Sequence, residues 1–253
     1  MSTLATIART ETRLMLRDAA SAFFGIVFPG LLLVALALVL PGFRDVIDDP
    51  EAPAELIGAR PVDIYIPVVL ALAIATVGLT IVPAYLAAYR EQGVLRRLST
   101  TPAAPHDLLG AQLLVNLGFL AVGSLVAVLA GGIAFDVDWP ANVPALVLAF
   151  ALATVASFGI GLVIAAVASS ARVASGVGSI IYFPMLFFAG VWTPGAAMPD
   201  AARSIADFTP IGAASAAMAD AWFGAWPTPL QVAVLAGWAV VASVAAARLF
   251  RWE

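Results

Sequence analysis

Long apolar runs alternate with short polar ones along the whole chain. Six stretches lack Asp, Glu, Lys and Arg for long enough to cross about 30 Å of hydrocarbon as a helix of about 20 residues. They are Ala19–Phe43, Ile64–Tyr89, Leu108–Phe135, Trp139–Ala171, Val173–Pro199 and Ala221–Ala247. Turn residues trim them. Trp192-Thr193-Pro194-Gly195 breaks the fifth, and Pro227 and Pro229 confine the helix of the sixth to Leu230 onward. The fourth is too short for two crossings and a turn, which need about 40 residues. It is one helix preceded by Trp139, Pro140 and Pro144 at the interface. The pattern predicts an all-α membrane protein with spans at about 21–40, 65–88, 108–134, 144–168, 173–192 and 230–249.

Two polar segments have patterns of their own. In residues 1–18, Arg9, Arg13 and Arg17 recur at i, i+4 and i+8 and share one helical face. Leu4, Ile7, Ala8 and Leu14 lie opposite, interrupted by Glu11. This predicts an amphipathic interfacial helix with its arginines toward phosphate headgroups. A plain topogenic arginine cluster is the simpler alternative. A full-length span follows these arginines, not a short apolar run with a cleavage site, so no cleavable leader is expected. In the loop 89–107, Glu91 to Ser99 has room for two helical turns before Pro102, with Leu95 and Leu98 on one side and Arg96 and Arg97 elsewhere. A docking helix for a soluble partner and an ordinary arginine-bearing loop both fit this pattern. Asp107 is placed to cap the third span.

Composition narrows the chemistry. The chain is 62% hydrophobic and 11% charged, which excludes a soluble globule of 253 residues. Its mean hydropathy is +1.02. All 12 basic residues are arginine, cysteine is absent, and His106 is the single histidine. Thiol chemistry, a Schiff-base lysine and a phosphate-binding loop that needs lysine are therefore unavailable. No catalytic residue, metal ligand, bound cofactor or nucleic-acid contact is expected. Six spans place both termini on one side. With that side cytoplasmic, nine arginines lie inside and three outside (Arg44, Arg60, Arg203), as the positive-inside rule prefers. Inside the spans the polar residues are mild: Thr76, Thr80, Asn116, Ser124, Thr154, Ser157, Ser175, Ser179 and Tyr182. Proton-coupled transporters keep an acid or histidine at such depth. A stand-alone channel or ion-coupled secondary transporter stays as the alternative, since broken helices can hold sodium through carbonyls. Small residues such as Gly159, Gly161, Gly176 and Gly178 predict close helix contacts, and Pro29-Gly30 and Pro83 predict kinks.

The loop resembles that of the ABC-2 type permeases, the membrane subunits of bacterial ABC exporters. Their pattern, Glu-x-Gly-Thr-Leu-Glu-Arg-Leu-x-x-Thr-Pro, is matched at Glu91, Gly93, Leu95, Arg97, Leu98, Thr101 and Pro102. Val94 and Arg96 depart from it. A second similarity runs from Phe187 through Gly190, Pro194, Met198 and Pro199 to Pro210. In the family this region dips back into the outer leaflet, so the resemblance implies a re-entrant segment at 193–226. It further implies a single ABC-2 transmembrane domain over 1–253 in a bacterial cytoplasmic membrane. A second permease copy or paralogue would complete the pathway, among membrane lipids. Two ATPase subunits, which hold the ATP and Mg, would dock on a coupling helix comprising Glu91, Gly93, Leu95, Arg96, Arg97, Leu98, Thr101 and Pro102. The expected activity is export of a hydrophobic or amphipathic drug, lipid or glycoconjugate. Spans one, two and five are expected to line the pathway.

Overall fold

The computed structural model describes residues 3–53, 56–94, 105–193 and 197–249. Among these all the regular secondary structure is helical, without strands. The N-terminal helix is Thr3–Arg17. Among the described residues, six helices are long and apolar enough to cross a membrane. Span one is Ala19–Val39, span two Pro61–Glu91, span four Val143–Val167, span five Ala171–Phe188 and span six Pro229–Leu249. Span three is Pro105–Phe135. Two short helices, Asp200–Ala206 and Pro210–Trp222, stand between spans five and six.

Span boundaries follow from caps and turns. Span five stops at Phe188, four residues before its expected end, because Gly190 takes a left-handed φ of 89°. Gly190 N–H then donates to Phe187 O (3.0 Å) and Val191 N–H to Leu186 O (3.2 Å), the paired bonds that close a helix C-terminus. Ser215 Oγ and Tyr65 Oη donate to the carbonyls of Ala189 and Val191 in this turn. Span four starts where the Asn142 side chain accepts the Ala145 N–H. Pro199 and Pro210 stand at the starts of the two short helices, where a missing N–H costs nothing.

Prolines also shape the helix interiors. The predicted kinks at Pro29 and Pro83 are each preceded by a widened π-type turn, Phe23–Val27 and Thr76–Ile81. A proline cannot donate to the carbonyl four residues back. The preceding turn relaxes, so that Phe28 N–H reaches Phe23 O and Val82 N–H reaches Val77 O. Loosened carbonyls need close neighbours, and glycines supply them. A Cβ on Gly123 would collide with Gly25 O, one on Gly161 with Gly78 O, and one on Gly178 with Leu79 O. Of the other small residues singled out from the sequence, Gly159 packs on Ala242, whereas Gly176 faces open space.

Span two is the centre of the bundle. In its most apolar stretch 89% of the residues are buried, against 28% in span one, 17% in span five and 22% in span six. Spans one, three, four and five and the helix Pro210–Trp222 pack around it, and span six leans mainly on span four. Span two thus presents little free surface for the expected pathway, whereas spans one and five present much.

Candidate functional site

The last turns of span two gather most of the polar groups at the end of the bundle that carries the N-terminal helix. Tyr85 and Tyr89 sit one turn apart, so their hydroxyls point the same way. Tyr89 Oη donates to Glu11 Oε2 at 2.5 Å, and Gln112 Nε2 of span three donates to the same oxygen at 2.5 Å. Asn116 Nδ2, one turn beyond Gln112, donates to Gln112 O at 2.8 Å. Tyr85 Oη donates to Asp18 Oδ2 at 2.7 Å, which also accepts from Ser21 Oγ. Glu11 is buried, and that burial raises its pKa against the lowering effect of the Tyr89 and Gln112 bonds. The bonds from Ser21 and Tyr85 lower the pKa of the more open Asp18.

The next two residues reach the other side. Arg90 Nη1 donates to Ala165 O (2.7 Å) and Ala166 O (2.8 Å), two of the carbonyls left unpaired where span four ends. A cation there also opposes the negative end of the helix dipole. Glu91 Oε2 accepts the Ala171 N–H at 3.0 Å and so caps the start of span five. The last turns of span two therefore hold the N-terminal helix and spans three, four and five. At the opposite end Arg60 repeats the device. It pairs with Asp63 (2.8 Å) and donates to Phe135 O and Asp136 O, where span three ends.

The residues expected to couple to a partner divide at this point. Glu91 belongs to the last turn of span two and not to a separate helix. Gly93, with φ of 65°, ends that helix, and its N–H donates to Arg90 O. Leu95, Arg96, Arg97, Leu98, Thr101 and Pro102 lie outside the described residues, as does Pro194. Gly190 closes span five, Met198 is buried, and Pro199 and Pro210 open the short helices.

The N-terminal helix follows its expected facing in part. Arg9, Arg13 and Arg17 are exposed, as their spacing predicts. On the face packed against span three Glu11 and Met15 are buried, Leu4, Ile7 and Ala8 are half-buried, and Leu14 alone of the expected apolar residues is exposed, at 47%. Treating Glu11 as a break in the apolar stripe hid its role. The usable signal was one acid inside an amphipathic helix, with Tyr89 and Gln112 as donors near the same end of two spans.

A family model described as ABC-2 type transporter matches residues 3–223. The chain belongs to the ABC-2 type transporter family. It is a multi-pass membrane permease of an ABC transporter, and permeases of this family work with ABC ATPase subunits that carry the ATPase activity. No curated protein matches the chain. The match begins at the first residue of the N-terminal helix and ends one residue after Trp222. It thus includes the Glu11–Tyr89–Gln112 cluster and the root of the loop at Glu91 and Gly93.

Proposed function

We propose that this ABC-2 permease is the membrane subunit of an ATP-driven exporter for a hydrophobic or amphipathic molecule. Two ATPase subunits dock on residues 91–102, on the cytoplasmic side with both termini, and a second copy or paralogue completes the pathway. One observation carries this reading: the loop leaves span two at the turn whose side chains hold other elements of the bundle. A force applied to the loop reaches the N-terminal helix through Tyr89, span four through Arg90 and span five through Glu91. Such a root suits a coupling loop, because a two-state change must be biased by a partner that binds the two states unequally. The lightly buried spans one and five supply the surface for the second copy. The N-terminal helix lies in the headgroup layer through Arg9, Arg13 and Arg17. The segment 193–226 re-enters the outer leaflet, its helix Pro210–Trp222 held among spans two, four and six.

The test replaces Leu95 and Leu98 together with Asp. ATPase co-purification and substrate efflux should both fall, with membrane insertion unchanged. Efflux at the unsubstituted rate would overturn the coupling role of the loop.

A further inference from the structure

We infer that the cleft between spans three and four is a binding site for one acyl chain of an amine-bearing phospholipid whose headgroup lies at the end opposite the N-terminal helix. Spans three and four follow one another in the chain yet do not pack along their length. Between them runs an apolar groove of about 660 Å³, within the range of small-molecule sites of roughly 300–1,000 Å³. Its wall on span three extends from Leu113 to Val128, a rise of about 22 Å at 1.5 Å per residue. Leu114, Leu125, Val147 and Val155 of the lining are each about half exposed, so the groove opens sideways toward hydrocarbon. A long, narrow, nonpolar slot with a lateral mouth in a membrane-crossing bundle fits an acyl chain.

The end of the groove sets the headgroup. The buried Trp222 and the exposed Trp139 close it, and an exposed tryptophan such as Trp139 sits at the headgroup level. Ala141 N–H donates to Trp222 O at 3.0 Å, which fixes the two tryptophans at the same end. The exposed Asp138 precedes Trp139 directly and Asp136 is two residues earlier, while Asp220, two residues before Trp222, accepts from Gln231 Nε2 at 2.8 Å and keeps its charge near this end. The nearby Arg60 guanidinium pairs with Asp63 and donates to two carbonyls, and although its charge also attracts Asp136 and Asp138, one cation among these acids leaves this end net negative. Carboxylates at this mouth repel an anionic glycerol headgroup and attract an ammonium. Phosphatidylethanolamine supplies that ammonium, and phosphatidylglycerol does not.

The experiment uses the full chain reconstituted in vesicles of equal phosphatidylethanolamine and phosphatidylglycerol, then native mass spectrometry of the released protein. The expected result is one tightly retained lipid, with phosphatidylethanolamine favoured about fivefold, the factor one charge near a membrane surface supplies. Ala151→Trp, which fills the groove from span four, should abolish the retained lipid. Val240→Trp, on an exposed face of span six, should leave it unchanged. Asp138→Asn, an exposed position whose replacement leaves the fold alone, should lower the headgroup preference by roughly two- to fivefold. Equal retention of both lipids, or retention undiminished by Ala151→Trp, would overturn the site. So would efficient disulfide crosslinking between copies of a Val147→Cys protein, since a second copy would then fill the groove.

Discussion

Replacing Glu11 with leucine tests how the N-terminal helix is held. The substitution puts an apolar side chain of comparable reach in its place and removes the acceptor that Tyr89 Oη and Gln112 Nε2 share at 2.5 Å. Hydrogen bonds to a charged group contribute about 1.5–3 kcal/mol each. The relief of a buried carboxylate offsets part of that loss, and Gln112 can still donate to Tyr89 Oη at 3.2 Å. The remainder is about 3 kcal/mol, which raises the undocked population on the order of 100-fold. Because the chain has no cysteine, Met15→Cys gives a clean reporter: Met15 is 2% exposed when the helix is docked. Labelling of the introduced thiol should accelerate by that factor when Glu11→Leu is added and by far less with Glu11→Gln, which keeps an acceptor oxygen. The pH dependence has a definite sign. Burial raises the docked pKa of Glu11 above 4.5, so docking binds a proton more readily than the free helix does. Docking is therefore strongest at low pH and weakens as pH rises through the raised value. The labelling rate relative to Glu11→Gln, which cancels the titration of the thiol, should rise over that interval and then level off. Labelling no faster with Glu11→Leu than in the Met15→Cys parent would refute the proposed role of the cluster.

Two further substitutions examine the packing of span two. Arg90→Met leaves the Ala165 and Ala166 carbonyls without their donor and should cost about 1–3 kcal/mol, with Arg90→Lys recovering part of it, read as apparent Tm in detergent. Gly161→Ala places a methyl on Gly78 O and within 3.3 Å of Pro83 Cδ, and should lower stability by about 1–3 kcal/mol. Gly176→Ala meets nothing within 4 Å and should stabilise by up to about 1 kcal/mol, so equal Tm changes for the two glycines would contradict the helix packing.

The crossings themselves were legible because uninterrupted apolar length is a direct demand of the bilayer. Their burial was not. Spans two, three and four share a mean hydropathy of 2.4, yet 89%, 39% and 50% of their apolar windows are buried. Lipid tails are as apolar as a protein interior, so a residue that faces lipid reads like one that faces another helix. Span two also begins at Pro61, four residues before the expected start, because Arg60 and Asp63 neutralise each other there. Pairwise satisfaction of that kind is invisible to a count of charges. The prolines were legible as kinks, whereas the glycines facing their loosened carbonyls come from distant segments.

The same limit explains what the matched loop residues do. Glu91 and Gly93 stand out in the sequence as parts of a pattern associated with a partner ATPase. In the structure Glu91 caps span five and Gly93 ends span two. Both roles build the root from which residues 95–104 depart, and neither requires direct contact with a partner. If the loop is the point of coupling, its pull enters a helix clamped at both ends by arginines, Arg60 on the end of span three and Arg90 on the end of span four. Between the clamps lies the widened turn Thr76–Ile81, where Tyr182 of span five bonds Thr76. Thr76 Oγ1 gives its own proton to Leu72 O, so Tyr182 must be the donor. Fixed ends and a loosened middle concentrate any bending of span two at that turn. Span five, the most exposed of the six, is therefore the element that such bending reaches first.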